Sequence, residues 1–203
     1  YAGLPKLWRL QATGALDSSF GVYTNETVLD LALQGDGSIV FGGLFTQANN
    51  QTRNRVALVS ADGVLETSFS IAADNNVYAL SVLPTRHIVA GGNFTQLGGQ
   101  ATVGVGRITP TTTVDAAFAP TVAGVVYSLL PVDANLLVGG AFNTVNGVGL
   151  TNLARLLPNA TLDNSFTPNP NGAVYDMLRQ PDQKLLIAGD FTQIVGANQS
   201  RLA

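Results

Sequence analysis

Short apolar runs alternate with turn-forming residues from one end of the chain to the other, and the alternation keeps a fixed beat. A first β-rich run, Val28 to Leu33, is followed by the turn Gly35-Asp36-Gly37-Ser38 and a second run, Ile39 to Gly43. The same order returns at Val77 to Val82 and Ile88 to Gly92, at Val126 to Pro131 and Leu136 to Gly140, and at Val174 to Arg179 and Leu185 to Gly189. The intervening turns are Pro84-Thr85-Arg86-His87, Asp133-Ala134-Asn135 and Pro181-Asp182-Gln183-Lys184. Run, turn, run is the signature of a β-hairpin. A third run follows at Val56 to Ser60, Val103 to Thr109 and Leu153 to Leu157, and a fourth short one leads into a phenylalanine. No stretch carries the 3.6-residue period of an amphipathic helix.

Those phenylalanines set the period. LDSSF ending at Phe20 recurs as LETSF at Phe69, VDAAF at Phe118 and LDNSF at Phe166, with spacings of 49, 49 and 48 residues. GGLF at Phe45 recurs as GGNF at Phe94, GGAF at Phe142 and AGDF at Phe191, spaced 49, 48 and 49. The one missing residue falls where LPTRH is matched by the shorter VDAN, in a turn, where deletions do least harm. Four short strands in each such unit make one propeller blade, and blades bury against each other faces that none could bury alone. The pattern therefore predicts an all-β fold, a four-bladed β-propeller occupying residues 1–203 as a single domain.

The LDxSF segment, the V-x-x-L strand, the PDG-type turn, the I-V-x-G-G-x-F-T strand and the R-N-R-V-A-type strand together resemble the delta-sixty repeat, a β-propeller repeat of extracellular bacterial and archaeal proteins. The resemblance runs from Lys6 to Ala203. It implies a propeller fold and an extracellular setting, and it implies no catalytic residues. The third unit departs most, through its shortened turn and through Gly104-Val105-Gly106 in place of Arg55-Val56-Ala57.

The two ends compete for one strand position. Arg201-Leu202-Ala203 stands in register with Arg55-Val56-Ala57, and so does Lys6-Leu7-Trp8. A closed ring would use Lys6 to Leu10 as the third strand of the blade begun at Val174, leaving Ser200 to Ala203 as a tail and Tyr1 to Pro5 as an apolar arm. The alternative is exchange of one of these segments with a neighbouring molecule, because an unpaired strand edge templates another chain. Tyr1, Leu4, Leu7, Trp8, Arg201 and Leu202 are the expected assembly residues.

Composition sharpens this. Charged residues make up 11% of the 203 residues, against the roughly 25% usual for a globular chain. A surface so short of charge favours association. Ten scattered basic residues and a net charge of -3 do not form a footprint for nucleic acid. No apolar run reaches the roughly 20 residues of a transmembrane helix. The chain begins at Tyr1 with no charged-then-apolar leader, as a processed product or a piece of a longer protein would.

Candidate chemistry is sparse. Zero cysteines exclude disulfides, thiolate zinc sites and thiol nucleophiles. A Ser-His-Asp triad could centre only on His87, which sits in a repeated turn and reads as a surface residue. The Gly42-Gly43, Gly91-Gly92 and Gly139-Gly140 pairs lack the Lys of a phosphate loop and read instead as sites of close backbone approach. Tyr78, Tyr127 and Tyr175 share one repeat position, with Leu29 in the first unit, and read as packing between blades before stacking on sugars. Asp30 and Asp176 share another and are weak candidates for a Ca2+ site, two side-chain ligands being fewer than that ion takes. Five Asn-x-Ser/Thr sequons, at Asn25, Asn50, Asn93, Asn159 and Asn198, are candidate glycosylation sites. Asn93, between Gly92 and Phe94 in a repeated strand, is the poorest acceptor among them.

The sequence thus points to a secreted or cell-surface, non-enzymatic structural glycoprotein that needs no cofactor and whose partner is itself, as an oligomer, filament, tube or surface layer. The competing expectation is a carbohydrate-binding or adhesive propeller module, and a third is a fragment of a longer multi-repeat adhesin.

Overall fold

The computed structural model describes residues 6–198. An antiparallel pair, β1 (Leu7–Leu10) and β2 (Leu16–Val22), opens the described chain. The first unit then forms β3 (Val28–Leu33), β4 (Ile39–Gly43), a small hairpin β5 (Gln47–Ala48) and β6 (Gln51–Thr52), and β7 (Val56–Val59). The second forms β8 (Val77–Val82), β9 (Ile88–Gly92), β10 (Gln96–Leu97), β11 (Gln100–Ala101) and β12 (Val105–Ile108). The third has β13 (Val122–Val132), β14 (Asn135–Val145), β15 (Val148–Gly149) and β16 (Leu153–Leu156). The fourth has β17 (Val174–Arg179), β18 (Leu185–Gly189), β19 (Gln193–Ile194) and β20 (Ala197–Asn198). No helix occurs among the described residues.

The sheets repeat one antiparallel order: β3-β4-β7, β8-β9-β12, β13-β14-β16, then β17-β18. The fourth run is a true strand only in β2. Elsewhere it shrinks to the single bridges Val59 to Leu65, Ile108 to Val114 and Leu156 to Leu162. The small hairpins lie outside the predicted runs. Their tips, Asn49-Asn50, Gly98-Gly99, Asn146-Gly147 and Val195-Gly196, all have two consecutive residues at positive φ, the backbone of a type I′ turn. Gly104-Val105-Gly106 enters β12 of the second sheet, so the third sheet is spared this departure and has the longest strands of all. Gly104 (φ 76), Arg55 (φ 68) and Asn152 (φ 63) share one left-handed position, which glycine takes without strain.

Hydrophobic cores form between sheets. Val40 and Leu58 of the first sheet join Phe69, Val77, Leu80 and Phe94 of the second. Val89 and Val105 join Phe118, Val126 and Phe142 of the third. Leu137 and Leu153 join Val174, Met177 and Phe191 of the fourth. Alternation along each second strand does this, since odd and even side chains leave opposite faces of a sheet. Phe41 accordingly points the other way, towards Leu7, Phe20 and Val22 on β1 and β2.

Among the described residues β1 pairs only with β2, and β18 only with β17. The pairing of Lys6 to Leu10 with β18 that closure within one chain would need is not found among the described residues. Leu7, expected on an assembly surface, is 8% exposed and inside the core, because it points at the face of the first sheet. Trp8 lies on β1 at 45% exposure. Tyr1, Leu4, Arg201 and Leu202 lie outside the described residues, as do the arm and the tail.

Candidate functional site

The first strand of every sheet is broken at one place. Pairing runs Val28 to Gly43 and then Asp30 to Gly42, skipping Leu29, and the same skip occurs at Tyr78, Tyr127 and Tyr175. A β-bulge of this kind re-aims one side chain and bends the strand. Here it throws the tyrosines into a ladder, with Tyr78 and Tyr127 centroids 5.5 Å apart and Tyr127 and Tyr175 centroids 5.3 Å apart. Each contact bridges two neighbouring sheets, in line with the inter-blade packing expected for this position. Tyr175 ends the ladder half-exposed, and its hydroxyl donates to Asp190 at 2.6 Å, which pushes the phenol above its ordinary pKa.

The glycine pairs stand opposite the start of that strand. A side chain on Gly43, Gly92, Gly140 or Gly189 would run into the backbone carbonyl two residues before the skipped position, from Thr27, Asn76, Val125 and Ala173 respectively. The first glycine of each pair answers a different neighbour. A Cβ on Gly42, Gly91 or Gly139 would stand 2.6, 2.7 or 2.9 Å from a γ-methyl of Val77, Val126 or Val174 on the next sheet. Ala188 takes this position in the fourth unit.

One residue beyond the bulge lie the acidic candidates. Asp30 accepts from the Leu31 N–H at 2.8 Å and from the Leu80 N–H of the next sheet at 2.6 Å. Burial pushes its carboxyl above the usual range, and the negative charge of Asp176 adds a smaller push in the same direction. Asp176 accepts from the Met177 N–H at 2.8 Å. The two carboxylates are therefore within electrostatic reach, yet among the described residues no three His, Asp or Glu side chains gather as a cation would need. Asp30 has a structural task, stitching the first sheet to the second.

Between sheets the outer edge carries a repeated clasp. Arg9, Arg107 and Arg155 bond Asp17, Asp115 and Asp163 while stacking over Phe20, Phe118 and Phe166 at 4.7, 4.3 and 4.7 Å. Arg9 and Arg107 also donate to the carbonyls of Ala61 and Pro158. At the equivalent position the first sheet has Leu58, with Glu66 and Phe69 in the other two places. A cavity of about 160 Å³ opens there, bordered also by Asp36 and Arg86. A larger one, about 260 Å³, lies between the second and third sheets, with Leu83, Phe118 and Leu136 as its apolar wall and Arg107 and Asp133 as polar rim.

A third device joins the small hairpins to the sheets. Asn25 accepts from the backbone N–H groups of Thr46 and Gln47, Asp74 from those of Thr95 and Gln96, and Asn171 from those of Thr192 and Gln193. Sequence reasoning missed it, although the signal is visible in the first, second and fourth units as Phe-Thr-Gln at the landmark Phe with an Asn or Asp 21 residues before the Thr. The third unit has Ala123 there and instead extends β13 and β14 into pairing.

The sequons are not equivalent. Asn25 spends its amide on Thr46 Oγ1 at 2.8 Å, so its sequon serves the clamp. Asn93 holds a buried Oδ1 with no partner among the described residues. Asn50 and Asn159 are exposed in turns, and Asn198 is exposed in β20, accepting from Gln193. His87 meets Thr85 Oγ1 at 2.9 Å in its turn.

Bulged, antiparallel, repeated sheets that bury their cores against one another define an all-β propeller-type protein. Three segments, residues 34–69, 135–166 and 180–203, match the family described as "Domain of unknown function (DUF5122) beta-propeller". A crystal structure of a protein of unknown function from Bacteroides caccae is similar over 99% of this chain and 70% of its own, with 14% identity and a TM-score of 0.56. The extracellular domain of a candidate one-component system from B. thetaiotaomicron is similar over 95% of this chain, with 17% identity and a TM-score of 0.55. This chain spans only 24% of that second protein. At such identities the likeness is one of fold. No curated protein matches the sequence. Among the described residues no helix is long and apolar enough to cross a membrane.

Proposed function

We propose that this is a non-enzymatic, extracellular structural protein of the delta-sixty type that self-assembles into an oligomer, filament, tube or surface layer. Each of its four repeats forms one blade. The observation that carries the reading is the state of the two terminal sheets. Leu29, Leu31 and Leu33 on β3 are 42%, 51% and 66% exposed, and Leu178 on β17 is 59% exposed, where their counterparts inside the chain pack between sheets. Contiguous apolar surface of this kind marks an interaction face. The low charge of the chain adds to it. Glycans on Asn50, Asn159 and Asn198 would stand clear of the sheets' pairing faces. The extracellular setting also draws on the likeness to an extracellular domain.

The cavity between the second and third sheets favours a second reading, a carbohydrate-binding or adhesive module, since an apolar wall with a charged rim suits a sugar ring. Negative-stain microscopy with solution mass on the purified protein separates the two. Ordered polymers or oligomers support the structural reading. A uniform monomer that binds on a glycan array would replace it with the second.

A further inference from the structure

The interface between consecutive sheets occurs three times inside this chain, and each time it has the same two halves. The donor half is the face of a second strand and its neighbour: Val40, Gly42 and Ala32 in the first sheet, with Val89 and Leu137 standing where Val40 does in the next two. The acceptor half comes from the first strand of the following sheet, the pairs Val77 and Leu80, Val126 and Leu129, and Val174 and Met177, which reach the glycines opposite. Counting along the repeat, the fourth sheet has a donor half in Leu178, Leu186 and Ala188, and the first sheet an acceptor half in Val28 and Leu31.

Among the described residues the donor half is not filled, and in the acceptor half Val28 is partly packed against the core under β1 and β2 while Leu31 stays open. Leu31 is 51% exposed, while its counterpart Leu80 is 7% exposed. On the fourth sheet Asp176, Met177, Leu178, Leu186, Ile187 and Ala188 line an open groove of about 180 Å³ where the other sheets receive a Val and a Leu or Met. The ends are held as matching surfaces, and the rule that matches them is read from three internal copies of the same contact.

Resting on the self-assembly reading above, we propose that the groove of β17 and β18 is occupied by Val28 and Leu31 from the first sheet of a second copy of this chain. The contact is head-to-tail, with different surfaces on the two copies, so it continues until a ring closes or a filament grows. It is looser than its internal models. Ala188 carries the methyl that Gly42, Gly91 and Gly139 lack, and at those glycines a Cβ would come within 3.0 Å of the valine methyl opposite. The copies therefore sit slightly further apart, or shear, at this junction.

The test uses the complete chain in sedimentation velocity, with circular dichroism to check that each variant keeps its fold. Leu31→Asp destroys the acceptor half on an already exposed side chain, and Ala188→Arg fills the donor groove. Each alone should weaken association by at least about a hundredfold. Mixed together, a Leu31→Asp copy and an Ala188→Arg copy still own one intact half each, so the mixture should form a species of twice the 21.1 kDa chain mass and nothing larger. Ala188→Gly should tighten association several-fold. Val64→Asp, at an exposed turn position on neither face, is the control and should change nothing. A wild-type chain that stays monomeric overturns the assembly reading and this contact together. Assembly that survives both Leu31→Asp and Ala188→Arg overturns this contact alone, and a mixture that fails to pair does the same.

Discussion

Replacing Gly91 by alanine tests the inter-sheet contact that holds the second sheet against the third. The new Cβ would lie 2.7 Å from Val126 Cγ1 and 3.2 Å from both Leu129 Cδ1 and Cγ, three atoms of the neighbouring sheet. The backbone of Gly91 has no left-handed φ, so alanine brings no conformational strain of its own. On an uncrowded strand the change would stabilise by roughly 0.4–1 kcal/mol through the unfolded state. Overpacking of a filled core costs about 1–3 kcal/mol, and that larger effect should win here. For a chain of this length the net loss corresponds to a fall in Tm of roughly 2–10 °C. Gly139→Ala should cost less, because its Cβ meets Val174 at 2.9 Å but otherwise faces the flexible thioether of Met177, which can move aside. Urea denaturation of both variants, with Gly91→Ala/Val126→Ala as the compensating pair, gives the ordering. A Gly91→Ala protein as stable as wild type, or a double variant less stable than the sum of its parts, would refute the packing of the second sheet on the third.

Other perturbations follow from the same geometry. Leu58→Arg would present a guanidinium to Glu66 and Phe69, but cation-π and exposed ion pairs are each worth about 1 kcal/mol or less, whereas removing a buried core leucine costs about 2–5 kcal/mol, so the variant should lose stability, read from the urea midpoint. Asn25→Ala should cost about 1–3 kcal/mol by leaving the N–H groups of Thr46 and Gln47 short of their acceptor, whereas Asn50→Ala in an exposed turn should cost less. Asp163 is held below the ordinary carboxylate range by the Ser165 hydroxyl first, then by the Ser165 N–H and Arg155. Its contribution is present above the unfolded-state value of about 3.9 and is lost as pH falls through its lower folded value, so Asp163→Asn should be destabilising at pH 7 and converge on wild type in acid. Asp30 has the opposite sign: its folded value is raised, chiefly by burial, so its ionisation costs stability as pH rises from about 4. Asp30→Asn should therefore gain on wild type between pH 4 and pH 7, measured by the same denaturation series.

The strands that carry the sheets were legible because apolar runs, turn residues and two Phe landmarks repeat together. Val28–Leu33, Ile39–Gly43 and their counterparts in the second and fourth units are bounded in the fold as the pattern bounds them. The small hairpins were not legible by that route, since two-residue strands have no periodicity. Their signal is local chemistry at the tips, Asn146-Gly147 above all, and the Asn and Asp clamps that hold them. The glycine pairs were legible as close approach, but only geometry divides their labour between a carbonyl of the paired strand and the next sheet. Leu7 shows the converse failure: an apolar residue in a strand near the chain end reads as part of an assembly surface until its place beside Phe41 and Phe45 is known.

Because each core among the described residues is shared between neighbouring sheets, the unit of inheritance and the unit of stability are out of phase. A duplicated stretch of one period, cut at any point in the cycle, carries one donor half and one acceptor half and can be spliced between existing units without inventing a new kind of contact. Lengthening such an array by gene duplication would then demand almost no compensating mutations, and copies could drift in the pattern of their clasps, as the Leu58 position already has, while the spacing of their phenylalanines stayed fixed.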